Sequence, residues 1–499
     1  MKALFLNINF IVFILHLFGQ GEINVKDYGA KGNGKTDDTK AIQSAINAAS
    51  SSIKTIIYFP AGVYNISSFT TTSNYLENYS ILLHSNLDIK GDGDESVIRV
   101  ADHIFDKTDT AANAHLFYGR QITNISFSYL MIDLNGANNL VPPNVIKNHS
   151  AIFTAHGSNY YIHNITIKNC SGTNMINILG SGKKIIIENC KFLNGGNYVG
   201  TLIPNKNQYD YSFIYTEWDS TVVNDNLIEQ ENIDIGLGNN SGGLELHGSG
   251  SSAVGNTFKG CWPSMFISSS KNTGLKNVSV QNNKMIDCII GVNFWLNLPM
   301  QNITISNNII RLTAPRSSKR NLCIGIFVPN GNAKEYSNSL ANGAPLTNLQ
   351  IIGNTITAES MQALSAGMML HSLQQSYILN NYISEMNYSG IVLTGSKWGM
   401  DSLDVENNTF SDFRPNPDKK AAPGYIVITD TYSKTVNAAP GLKHIIFTKN
   451  KFLRTKPYSK GENFSGAFID LPSQNLKEIK ITNNYYSVDT EKKLVIVKN

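Results

Sequence analysis

The chain has 499 residues, of which only 16% are charged, with a formal net charge of +4. No stripe of Lys and Arg is evident, so a nucleic-acid partner is not expected. Five cysteines, an odd number without CxxC spacing, argue against a zinc site or a disulfide framework and for buried thiols. Abundant Gly and Asn with few Pro suit a fold rich in tight turns rather than a disordered chain.

In chain order, residues 1–20 read as a secretory signal. Lys2 supplies the positive start, and an apolar run from Leu4 to Leu17 is interrupted only by Asn7, Asn9 and His16. Gly19, Gln20 and Gly21 follow, where a peptidase can cut. The run is shorter than the ~20 apolar residues of a membrane span. Residues 21–499 are therefore expected to be a secreted or periplasmic domain, not inserted in a membrane.

Residues 23–64 carry a distinct signature, from Ile23-Asn24-Val25-Lys26-Asp27-Tyr28-Gly29 through Thr36-Asp37-Asp38-Thr39 to Tyr58-Phe59-Pro60-Ala61-Gly62. Thr36 or Asp37 can cap a helix over 38–51 whose apolar face is Ala41, Ile42, Ala45, Ile46 and Ala49. Such a helix covers the open end of a solenoid core, so 21–52 is read as a cap.

From about residue 80 one pattern recurs: short strands, rich in Ile, Val and Phe, and a turn written Asn-x-apolar. One Asn per copy gives Asn226, Asn256, Asn283, Asn308, Asn354, Asn381, Asn408, Asn450 and Asn484, with the tightest intervals 25 to 30 residues. Cys170 and Cys190 are placed in the same slot in two earlier copies. Asn tolerates the left-handed turn and its amide can bond the amide above and below, so the repeat predicts a buried ladder in a parallel β-solenoid. Loops are expected at 103–114, 138–149, 194–211, 231–242, 312–322, 330–347 and 414–424.

The segment 23–64 resembles the N-terminal cap of the pectin-lyase-like superfamily of right-handed parallel β-helices, shared by family 28 polygalacturonases, their relatives and phage tailspike depolymerases. The resemblance implies an all-β, single-stranded right-handed parallel β-helix with an N-terminal capping helix, and carbohydrate polymers as the usual ligand. It leaves the reaction open, because the fold hosts hydrolases, lyases, epimerases and binders. The polygalacturonase pattern of Asn-Thr-Asp, Asp-Asp, Gly-His-Gly and Arg-Ile-Lys is absent; its nearest echo is Leu246-His247-Gly248.

Aligning the strand at the same phase in each copy sends Ile214/Thr216, Leu244/Leu246, Met265/Ile267 and Phe294/Leu296 inward, and Tyr215/Glu217, Glu245/His247, Phe266/Ser268, Trp295/Asn297 and Met369/His371 outward. Rungs are about 4.8 Å apart, so Tyr215 should stand beside Glu245 and Glu217 beside His247. The Glu217–Glu245 diagonal, roughly 8 Å between backbones, suits the carboxyl spacing of a glycosidase. Three readings follow. In a glycoside hydrolase, Glu217 and Glu245 act as acid and base or nucleophile, Asp219 can replace either, and His247 tunes Glu217. In a uronide lyase or epimerase, Tyr215 and His247 serve as base and acid, with Lys206 or Lys259 the nearest cations for the carboxylate. A non-catalytic binder needs only aromatic platforms. Tyr215, Trp218, Trp262, Trp295 and His371 are the expected sugar contacts, and Asp430 and the loop 397–401 are alternatives on later rungs. No cofactor is expected, although a loop-borne calcium site would be invisible in sequence.

Overall fold

The structure, a computed structural model, describes residues 21–72, 77–104, 113–140, 148–195, 212–230, 242–269, 274–296, 298–313, 322–329, 345–359, 363–395, 399–414, 424–429, 442–455, 469–472, 478–487 and 495–498. The predicted signal, Lys206, Asp430 and most of the predicted loop residues lie outside these segments.

Three sheets of fifteen strands run the length of the molecule, and the chain visits them in a fixed order. In one coil, Ser212–Thr216 belongs to the first (sheet C), Asp219–Asn224 to the second (sheet A) and Leu227–Glu229 to the third (sheet B). The next coil repeats this with Gly242–Leu246, Ser252–Val254 and Thr257–Lys259, each paired in parallel with its counterpart. Among the described strands the one antiparallel pair joins Thr70–Thr72 to Glu77–Leu82. This is the parallel β-helix that the repeat predicted, and the right hand implied by the resemblance is the usual hand of parallel crossovers.

Alternation along each strand fills the core. The inward column of sheet C reads Ile176, Ile214, Leu244, Met265, Val292, Ile326, Met368 and Ile391, paired in register and fully buried. Each such side chain contributes about 1.5–3 kcal/mol relative to exposure. The expected register holds except on Ile290–Trp295, where Val292 and Phe294, not Phe294 and Leu296, are the inward pair. Both choices preserve the alternation, so the pattern alone did not distinguish a slip of two residues.

The ladder stands at the corner between sheets A and B. The amide nitrogen of Asn283 donates to Asn308 Oδ1 (3.0 Å) and to the Ala253 carbonyl (3.0 Å). Its oxygen accepts from the Asn256 backbone N–H (2.9 Å) and amide (3.0 Å). Both donors and both lone pairs are therefore used, and the same scheme repeats at Asn308, Asn354, Asn381 and Asn408. The left-handed conformation falls to the preceding residue, for example Asn282, Asn307, Asn380 and Asn407, so turn and ladder are divided between two neighbours. Cys190 does occupy the slot, its N–H donating to Asn226 Oδ1 (2.9 Å). Cys170 does not: it follows the sheet-B strand Thr166–Lys168, and Ile165, after left-handed Asn164, holds the slot of that coil. All five cysteines are buried thiols.

The cap helix spans Thr39–Ala48 and buries Thr39, Ile42, Ala45 and Ile46 against the core. Asp38, rather than Thr36 or Asp37, takes the N-cap position, and its carboxylate accepts the N–H groups of Lys31 (2.6 Å) and Gly32 (3.1 Å). Asp37 accepts from the Thr39 N–H at 3.0 Å. Burial works to raise the Asp37 carboxyl, but hydrogen bonds from Ser68, Thr39 and Ser67 outweigh it and hold it at about 2.

Candidate active site on the outer face of sheet C

Tyr215 pairs with Glu245 across Ser212–Thr216 and Gly242–Leu246. Past the strand ends the ladder continues, with Glu217 N–H donating to the Ile178 carbonyl and His247 N–H to the Thr216 carbonyl, each at 2.9 Å. Four titratable side chains thus share one outward patch on adjacent rungs. His247 Nε2 lies 2.9 Å from Glu245 Oε1, and Ser212 Oγ donates to Glu245 Oε2 at 3.1 Å. Tyr215 donates its hydroxyl to Glu217 Oε1 (3.2 Å), and the N–H of left-handed Gly180 donates to Glu217 Oε2 (2.5 Å). The Tyr215 and His247 rings are 4.7 Å apart. Glu245 and His247 are buried, whereas Tyr215 and Glu217 are half-buried.

This arrangement differs from the expected pair of carboxylates tuned by one histidine. His247 engages Glu245, two residues away on its own strand, and not Glu217 beside it. Residues two apart on a strand share a face, and the Tyr215 hydroxyl already reaches Glu217. The site is therefore two units, Glu245–His247 and Glu217–Tyr215, meeting at the two rings. The carboxylate on Nε2 places the ring proton there and the lone pair on Nδ1.

Around this centre, Asn177 pairs with Tyr215 on the preceding rung, and Asn293 follows Phe266 two rungs beyond Tyr215's partner Glu245. Both amide oxygens are buried and have no hydrogen-bond partner among the described residues. A buried acceptor without a donor is costly. Trp295, half-buried, points outward beside Ser268, two strands beyond His247, and is the one expected tryptophan platform that the structure leaves on this face.

Other expected contacts fall elsewhere. Trp218 is fully buried where the chain turns from sheet C to sheet A, its indole N–H on the Leu179 carbonyl (3.0 Å) and its ring edge-on to Tyr160. A Cβ at Gly182 would come within 2.2 Å of it, so Trp218 is a structural corner and not a sugar platform. Trp262 is buried in the core where the chain passes from sheet B to sheet C. Asp219 begins the sheet-A strand, is exposed, and accepts the Ser249 N–H at 2.7 Å, which makes it a turn residue. Lys259 lies on sheet B, paired with Glu229 at 2.5 Å, away from the patch. His371 does face outward in the His247 column, four strands further along, and burial pushes its imidazole down to about 4.

A second cluster on the same face stands on strands that precede those aligned in the sequence. On Asn113–Arg120 and its neighbours, Arg120 donates to Glu77 (3.0 Å) and to the Tyr118 hydroxyl (2.5 Å). Its guanidinium lies 5.1 Å above the Phe153 ring, which stacks on Tyr118 and on His115. Burial works to raise the Glu77 carboxyl, but His115 and Arg120 outweigh it and hold it below its ordinary value. Burial pushes the His115 imidazole down and the Tyr118 phenol up to about 12. The outward spacing of Tyr118 and Arg120 was the available signal.

Residues 22–237 match the family model described as rhamnogalacturonase A/epimerase, pectate lyase-like. Alginate lyase 7 of Azotobacter vinelandii is 45% identical over 82 residues, 16% of this chain and 9% of that protein. Mannuronan C5-epimerase AlgE2 of the same organism is 37% identical over 118 residues, 23% of this chain and 11% of its own length. The matched segments thus span only about a tenth of these relatives. Among solved structures, the tailspike of Escherichia coli bacteriophage HK620 in complex with a pentasaccharide superposes with a TM-score of 0.62 at 15% identity, covering 95% of this chain and 80% of the tailspike. Over residues 22–237 the chain is thus similar to that family, and along most of its length its fold is that of a parallel β-helix.

Proposed function

We propose that the protein acts on a uronate-containing polysaccharide at the outer face of sheet C by abstracting the proton beside the sugar carboxylate, as a lyase or C5-epimerase. The observation that carries this is the contact of the Tyr215 and His247 rings, 4.7 Å apart, each backed by its own carboxylate. Both Glu245 oxygens are already engaged, by His247 and by Ser212, which disfavours this carboxyl as one of the pair that flanks a glycosidic bond in paired-carboxylate hydrolysis.

In the reaction, His247 takes the C5 proton while Glu245 holds the ring and supplies its counter-charge. The Asn177 amide, on the rung beside Tyr215, stabilises the charge that builds on the sugar carboxylate. For elimination, the electron pair forms the C4–C5 double bond, the C4–O bond breaks, and the Tyr215 hydroxyl protonates the leaving oxygen. Glu217, half-buried and bonded to that hydroxyl, returns the proton from solvent. For epimerisation, a proton from solvent instead returns to the opposite face of C5. These steps use side chains and solvent alone. The names of the matched relatives, an alginate lyase and mannuronan epimerases, fit this chemistry. An extracellular polymer and the apolar run at 4–17 agree with a secreted or periplasmic enzyme.

Purified protein should be assayed on alginate, polygalacturonate and neutral glucans, following both the ultraviolet absorbance of an unsaturated uronide and the release of reducing ends. Elimination yields both together on an acidic polymer, and epimerisation shows instead as a changed uronate ratio by proton NMR. New reducing ends without unsaturation would establish the hydrolase reading. Binding without any turnover would leave only the binder.

A further inference from the structure

On a different face, the exposed corner between sheets C and A carries a second series of left-handed residues: Asn277, Asn302, Asn348, Gln375, Ser402 and His444. Each kinks its strand, and the kinks align along the helix axis because the strands pair in register. From Asn302 to His444 the kinked residues line a groove of about 840 Å³, together with Tyr377 and Asp404. The asparagine amides form a partial outer ladder, Asn348 donating to Asn302 (2.9 Å) and Asn302 to Asn277 (3.0 Å).

We infer that this groove is an accessory binding site for a neutral polysaccharide strand lying along the helix axis. Its polar groups recur once per rung, about 4.8 Å, close to the length of one pyranose unit in an extended chain. Side-chain amides and hydroxyls both donate and accept, as sugar hydroxyls do. The Tyr377 ring, 40% exposed in the groove, offers the apolar surface that the C–H face of a sugar covers. Charge selects against a polyanion. Among the described residues no Lys or Arg lines the groove, His444 is already paired with Asp401 (2.8 Å), and Asp404 adds a further acidic group. The site is thus unlike the sheet-C face in location and in preferred charge, and it does not depend on the proposed proton chemistry.

Affinity electrophoresis of the full chain in gels containing xyloglucan, glucomannan, alginate or polygalacturonate tests this. At least one neutral polymer should retard the protein, and Tyr377→Ala should weaken that binding about tenfold, the worth of one aromatic contact. Asn348→Ala should weaken it by a smaller factor. His247→Asn should bind the neutral polymer as the parent does, which separates this site from the sheet-C face. Melting temperatures confirm that the variants fold. Retardation by no neutral polymer overturns the inference, as does neutral binding that Tyr377→Ala leaves intact. Loss of binding to an acidic rather than a neutral polymer in Tyr377→Ala overturns the assigned ligand class.

Discussion

Two clusters of the same residue types stand on the outer face of sheet C, three strands or about 14 Å apart, and they do different things. In the first, Arg120 neutralises Glu77, bonds the Tyr118 hydroxyl and covers Phe153, while His115 is sealed inside. In the second no Arg or Lys is present among the described residues: Glu245 holds His247, Glu217 holds Tyr215, and the two rings face each other. A cation that satisfies the carboxylate makes a stable ion pair with no proton to transfer. Replacing the cation by His and Tyr, groups that gain and lose protons, turns the same scaffold into a candidate for catalysis.

The largest expected effect breaks the first cluster. Arg120→Ala leaves Glu77 buried without its cation and should lower stability by about 3 kcal/mol in urea unfolding, with activity per folded molecule little changed. The double variant Arg120→Met with Glu77→Gln should recover much of that loss. In the second cluster the balance reverses. His247→Asn and Tyr215→Phe should each lower turnover at least about a hundredfold, with a small change in unfolding midpoint. Away from both clusters, Asn381→Leu removes an amide using all four hydrogen bonds and should cost about 1–3 kcal/mol without changing turnover per folded molecule.

A further effect is a pH slope. His371 is held at about 4 by burial, below the ordinary histidine value of about 6.5. Over that interval the unfolded chain binds the proton and the folded chain does not. Stability is therefore full above about 6.5 and declines as pH falls toward 4. His371→Gln should flatten this decline in thermal unfolding measured across the interval.

The repeat made the solenoid legible, because Asn283, Asn308 and Asn381 are buried at a corner that accepts few substitutes. The exposed corner was not legible: Asn348, Gln375, Ser402 and His444 share only a backbone conformation, and nothing buried restricts their side chains. For the candidate site, alternation placed Tyr215, Glu217, Glu245 and His247 correctly on one face. It could not say which carboxylate each ring would take, since that depends on side-chain reach rather than strand phase. Nor could it separate Trp218 from Trp295, because a tryptophan at a corner packs inward whatever the strand's alternation. Arg120 was missed because its strand precedes the first aligned copy.

The most direct test of the account uses a uronate polymer, alginate or polygalacturonate, carrying deuterium at C5. Proton abstraction by His247 releases that label to water whether the outcome is elimination or epimerisation. The account predicts label release by the parent protein and its loss, by at least about a hundredfold, in His247→Asn. Chain cleavage with full retention of the C5 label, or undiminished release in His247→Asn, would contradict it.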